Sequence, residues 1–105
     1  MSDQTLPQDK EPTVTAALNP ASLPAYTAIS HGTCVRAAGL VFTSGQVAWD
    51  AQGEVVGDDL ATQYAQVWAN LDAVLEEAGT SRRQVVKETI YLVGYTPTAS
   101  RSLRR

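Results

Sequence analysis

The stretch Leu40-Val41-Phe42-Thr43-Ser44-Gly45-Gln46-Val47 puts a hydroxyl and a glycine directly after an apolar run of strand character. The end of a strand holds exposed backbone, and Gly45 removes the side chain that would keep a ligand away. The Ser44 hydroxyl can donate or accept a hydrogen bond. A small polar pair in this setting suits the floor of a small-molecule cleft. The same pattern fits a bulge or bend, and taken locally it favours the bend. Other chemistry-bearing side chains are sparse. Cys34 and His31 are each alone of their type, which excludes an internal disulfide and leaves no Cys/His set for structural zinc. Cys34 falls in a strand-like run without a basic neighbour in sequence to activate its thiol. His31 stands where the chain enters that run; a proton-carrying role is open to it, a structural role being the more ordinary reading. Trp49 reads as packing at the strand end, and Asp50, before Gln52-Gly53, reads as the cap of a turn.

These residues need elements to position them. Residues 33–37 and 40–47 read as two strands joined at Ala38-Gly39. Val41 and Thr43 share one face; Leu40, Phe42 and Ser44 share the other. Glu54-Val55-Val56 is a short extended piece between turns. Leu60, Tyr64, Val67, Trp68, Leu71, Val74, Leu75 and Ala78 follow helical spacing and form one apolar stripe, with Gln63, Gln66, Asn70, Glu76 and Glu77 mostly off it. Asp58 and Asp59 suit the helix start and Gly79 its end. Tyr64 and Trp68 read as core, packed on a sheet. Residues 85–93 read as a third strand, broken by Gly94 and Pro97, and Thr98-Ala99-Ser100 as the start of a second helix. Residues 1–18, polar with Pro7 and Pro12, read as a disordered extension, leaving one domain over 19–105. The order of elements predicts an α+β layer with a helix over one face of a sheet, and an uncovered face in search of a partner.

Composition narrows the function classes. The chain has 105 residues, 44% hydrophobic and 18% charged, which fits one globular domain. The first 80 residues carry a net charge of −8 and the remaining residues +5. The basic end invites an anionic partner. Arg101, Arg104 and Arg105 lack interleaved aromatics, however, so nucleic acid is not the expected partner. No stretch reads as a signal peptide or a membrane span, and a cytoplasmic location with no membrane partner is the default expectation.

The run Gly39 to Val47, Asp50, Gly53-Glu54-Val55-Val56-Gly57, then Gln63, Gln66-Val67, Asn70-Leu71, Val74-Leu75, Ala78-Gly79, Val85-Val86-Lys87 and Tyr91-Leu92 resembles the RidA/YjgF family. Asn19-Pro20 and Ser30-His31-Gly32 look like the start of the same domain. The resemblance covers roughly residues 19–105. It implies a fold like bacillar chorismate mutase, a mixed sheet with helices on one face, here incomplete at the carboxyl end. It implies a homotrimer with clefts between subunits. It also implies a deaminase without cofactor or metal that hydrolyses 2-iminobutanoate or 2-iminopropanoate, an imino acid or its enamine, to a 2-oxo acid and ammonia. That chemistry needs an arginine fork for the substrate carboxylate and a carboxyl group that handles water.

The family's site residues carry over unevenly. Ser44 and Gly45 match the Ser-Gly at the cleft. The family tyrosine falls on Ile29, with Tyr26 three residues upstream as the residue that could reach in. A family asparagine falls near Ser102, and Gly94 stands where the family has Asp. The family's arginine and glutamate belong to strands past Arg105, and the three tail arginines do not match that motif. A non-catalytic small-molecule or protein-binding module, or an inactive fragment, is therefore the alternative to the enzyme.

Overall fold

The computed structural model describes residues 15–101. Three short strands form an antiparallel sheet in the order β1 (Thr15–Leu18), β2 (Gly32–Val35), β3 (Leu40–Thr43). Helix α1 (Leu60–Glu77) lies on one face, and a short helix α2 (Pro97–Arg101) follows later. The architecture is α+β, as the spacing of apolar residues predicts.

The hairpin β2–β3 forms with Cys34 opposite Val41 and Thr33 opposite Phe42. Its connection is one turn of 3-10 helix, Arg36–Ala38, closed by Gly39 at φ 66°. That left-handed conformation suits glycine. Along β3, Val41 is half-buried toward the helix while Leu40 and Phe42 are exposed on the opposite face; Thr43, expected to share the face of Val41, is exposed at the end of the strand.

Two expectations are corrected. Residues 15–18, read as part of a disordered extension, form β1, paired through Ala16 with Cys34 and Leu18 with Gly32. Their short apolar run is too brief to show a period, and the edge of β2 supplies the partner that makes it a strand. Residues 1–14 lie outside the described residues. The third strand expected at 85–93 is absent: this segment has no regular secondary structure. Val86 is 93% exposed, Tyr91 90% and Val93 103%. β-branched and aromatic content favours a strand only where a ladder and a packed face exist. Among the described residues no strand lies beside this segment to provide either.

Helix α1 shows how local signals set its ends. Asp59 is the N-cap, its Oδ1 accepting from the Thr62 N–H at 2.7 Å. This hydrogen bond holds the Asp59 carboxyl below the ordinary carboxylate value. At the other end the Gly79 N–H donates to the Glu76 carbonyl and the Thr80 N–H to the Leu75 carbonyl, with Gly79 at φ 83°. This pair of bonds satisfies carbonyls the helix leaves open. Trp68, Val74 and Leu75 are buried along the apolar stripe.

The core is small. Leu18, Leu23 and Val74 form its centre, with Cys34, Val41, Trp49 and Ala78 packed around it. Gly32 lets the helix approach the sheet: a Cβ there would lie 2.7 Å from Val74 Cγ1 and 3.1 Å from the Phe42 carbonyl. Trp68 is buried as expected, but one face of its ring carries the Arg82 guanidinium, 4.7 Å from the centroid. Arg82 also forms a fork with Asp72, with Nε to Oδ1 at 3.0 Å and Nη2 to Oδ2 at 2.5 Å. One of the basic residues that shift the charge balance after residue 80 is thus engaged within the fold.

Candidate functional site

β3 ends at Thr43, short of the strand expected over 40–47 because the chain turns away from β2 after Ser44, and one further ladder bond follows: the Ser44 N–H donates to the His31 carbonyl at 2.9 Å. The Ser44 hydroxyl donates to the Ser30 carbonyl. Ser44 therefore commits its proton to the chain and offers oxygen lone pairs, so toward a ligand it is an acceptor. Gly45 is exposed, and a Cβ built on it would meet nothing within 4 Å. Among the described residues nothing bonds its N–H or its carbonyl. This strand end is a ledge with one peptide donor and one peptide acceptor unbonded among the described residues, and open space on the side where a Cβ would stand.

The segment after the ledge is held from three directions. Gln46 Nε2 donates to His31 Nδ1 at 3.1 Å, and the Trp49 indole N–H donates to Gln46 Oε1 at 3.0 Å. Helix α1 supplies a second clamp. Asn70 Nδ2 donates to the Val47 and Trp49 carbonyls at 3.1 and 3.0 Å, and Gln66 Nε2 donates to Asn70 Oδ1 at 2.9 Å. The third is the turn after Trp49. Asp50 Oδ1 accepts from the Gln52 and Glu54 N–H groups, and Val55 bridges back to Trp49. Asp50 caps the turn as its spacing predicts, and that oxygen is spent there.

The polar groups around the ledge are mostly occupied. His31 is buried at 2% exposure, and its Nε2 lies 2.6 Å from the Pro24 carbonyl. Tyr26 stands over it. Its ring centroid is 6.1 Å from that of His31 and 5.7 Å from that of Trp49. His31 and Trp49 meet edge to face at 5.9 Å. Tyr26 is half exposed, and its hydroxyl approaches Gly53, where a Cβ would lie 3.7 Å away.

The structure thus sets Ser44 and Tyr26 against the segment Ser30-His31, with Gly45 next along the chain after Ser44. Ile29 is exposed. Ser102 lies outside the described residues. Gln46 bonds without any local signal in the sequence, and Gln66 and Asn70 lie mostly off the apolar stripe. Asn70 is buried at 4% exposure. The signal available was two amide side chains four residues apart on one helix face. Among the described residues no group of three His, Cys, Asp or Glu side chains could hold a metal, and no helix is long and apolar enough to cross a membrane.

A family model described as Endoribonuclease L-PSP matches residues 19–102. The chain belongs to this family. It is the RidA/YjgF family of the sequence resemblance, and curated relatives agree. A RutC family protein of Pyrococcus abyssi is 38% identical over 63 residues, 59% of this chain and 50% of that protein. A RutC family protein of Synechocystis is 41% identical over 64 residues, 59% of this chain and 49% of that protein. The chain spans about half the length of the curated relatives it matches. Among solved structures, a Rid family protein of Yersinia pestis is similar with a TM-score of 0.58 and 31% identity, over 65% of this chain and 54% of that one. The L-PSP fold is therefore present here in its sheet, hairpin and long helix.

Proposed function

We propose that this L-PSP family chain binds a small 2-imino or 2-oxo acid at the Ser44–Gly45 ledge, and that the reaction served by the site is imine hydrolysis. The observation that carries the reading is the Gly45 peptide, with its free N–H and carbonyl and open space in place of a side chain. A planar acid with a neighbouring C=N–H matches a donor and an acceptor set on a rigid strand end, while a C=O engages the donor alone. Ser44 adds an acceptor for an imine or ammonium N–H, and Tyr26 adds an aromatic wall beside Trp49.

Hydrolysis of an imine asks little of a protein beyond placement, since the carbon is already electrophilic. It asks also for a cationic grip on the carboxylate and an acid or base for water. At the ledge the imidazole nitrogens of His31 are both engaged and Asp50 has one oxygen bonded within its turn. In this proposal the grip and the proton handling come from outside residues 15–101, and the cleft is closed by another copy of the chain in a homotrimer. The exposed sheet face with Leu40 and Phe42 supports such an assembly. Without those two groups the same ledge serves as a non-catalytic small-molecule binding site, the second reading.

One assay separates them. 2-Iminopropanoate is generated enzymatically and its decay followed with and without the protein. Faster decay, lost in Gly45→Val, supports hydrolysis. Decay at the buffer rate together with saturable binding of 2-oxobutanoate supports the binding module, and absence of both overturns the ledge assignment. RNA cleavage, which the family description names, finds little support in a chain of net charge −3.

A further inference from the structure

His31 touches the ledge segment twice. Its carbonyl receives the Ser44 N–H, and its ring receives the side chain two residues further on, Gln46. The bonds through the ring have one consistent direction. The Trp49 indole N–H can only donate, so the Gln46 atom facing it is the carbonyl oxygen. Gln46 must then point its amide N–H at His31 Nδ1, which can only accept. The other ring nitrogen, 2.6 Å from the Pro24 carbonyl, can only donate. The chain Trp49 to Gln46 to His31 to Pro24 closes without a mismatched pair only when the imidazole is neutral and carries its proton on Nε2.

We propose that His31, held as the Nε2–H tautomer, is the positioning residue of the Ser44–Gly45 ledge, with Gln46 as the element that transmits its tautomer to the segment. His31 does not touch the ligand in this scheme. It sets which way the Gln46 amide faces, and Gln46 sets how Ser44 to Trp49 leaves the strand. Gln46 Nε2 also comes within 3.5 Å of the Ser44 carbonyl, so the same amide spans the ledge. Of the charged and titratable groups on flanking elements, Tyr26 makes ring contact with the imidazole. Asp50 bonds the Gln52 and Glu54 amides and Glu77 bonds the Asn19 N–H. The imidazole proton is therefore governed by Gln46 and Pro24. The proposal takes the ledge as a ligand site from the proposed function, but its test reads proton position and backbone exchange without substrate, so a protein inactive toward imines still answers it.

The experiment is a long-range proton–nitrogen NMR spectrum of the whole chain at pH 7, with backbone amide exchange measured alongside. In the unsubstituted protein the His31 signals should be those of a neutral ring protonated at Nε2. Gln46→Glu replaces the donor facing Nδ1 by a carboxylate, while still accepting from Trp49. The ring should then take a second proton and show the imidazolium pattern, a change that a merely space-filling Gln46 would not cause. Gln46→Leu should speed exchange of the Ser44 amide and the Trp49 indole N–H on the order of tenfold, with the α1 amides unchanged as the control for folding. A ring protonated at Nδ1 in the unsubstituted protein, a neutral ring in Gln46→Glu, or unchanged Ser44 exchange in Gln46→Leu would each overturn the proposal.

Discussion

Val74 occupies the space that a side chain at Gly32 would need. A Cβ on Gly32 would lie 2.7 Å from Val74 Cγ1, and Val74 is fully buried. At this point α1 and the sheet meet with no room for a side chain on β2.

Gly32→Ala should therefore destabilise the fold by about 1–3 kcal/mol, the usual cost of an overpacked core. The Phe42 carbonyl at 3.1 Å and Leu18 Cδ1 at 3.2 Å close the other directions of escape. Trimming the opposing side chain with Val74→Ala should reduce the penalty of Gly32→Ala. A double-mutant cycle from urea melts measures this coupling, and strict additivity would contradict the contact.

Asn70 anchors the segment after the ledge through two carbonyls, and its replacement should be costly. Asn70→Leu leaves the Val47 carbonyl without that donor and weakens the hold on Trp49, at about 2 kcal/mol. Asn70→Asp should be worse at neutral pH, because a carboxylate would face two carbonyl oxygens. Urea midpoints at pH 7 rank the three proteins, and Asn70→Asp as the more stable variant would refute the donor assignment.

The Asp59 cap makes stability depend on pH with a definite sign. Its folded-state pKa is held below the ordinary value, first by the backbone N–H of Thr62 and then by the Thr62 side chain. The carboxylate's contribution is therefore complete above the unfolded-state pKa and is lost as pH falls through the folded one. Asp59→Asn keeps a neutral acceptor at the N-cap. Its unfolding midpoint should fall less steeply than that of the unsubstituted protein between about pH 5 and pH 3. Parallel slopes would remove Asp59 from the acid response.

Phe42 lies on the sheet face opposite α1, 59% exposed beside Leu40 at 46%. If copies of the chain meet through this face, Phe42→Glu should shift sedimentation from trimer to monomer while leaving the far-UV circular dichroism unchanged. A trimer that survives the substitution would place the contact elsewhere.

Ser44 donates to the Ser30 carbonyl and offers its lone pairs outward, so Ser44→Ala should act on both folding and binding. We expect a several-fold weaker affinity for a 2-amino acid analogue, whose ammonium can donate to the Ser44 oxygen, consistent with one lost hydrogen bond of about 1 kcal/mol, and a similar loss of stability from the unpaired Ser30 carbonyl. Isothermal titration measures the first quantity. Unchanged affinity would remove the hydroxyl from the site.

The sequence alone was enough for α1, the β2–β3 hairpin and the Ser44–Gly45 strand end. In each case the information is local: an apolar stripe of helical period between Asp59 and Gly79, an alternating run after Gly39, a glycine where a strand stops. Family resemblance rested on these same segments. Tertiary structure decided the rest. Thr15–Leu18 became a strand because β2 offered an edge, while Val85–Val93, with stronger strand character, stayed irregular because no strand lay beside it. A β-ladder needs hydrogen-bonding partners distant in the chain, and no local pattern reports whether they are present. The bonds from Trp49 through Gln46 and His31 to Pro24 were hidden for the same reason. Their direction depends on which donors and acceptors the fold brings face to face, a property of the packed chain that residue order does not contain.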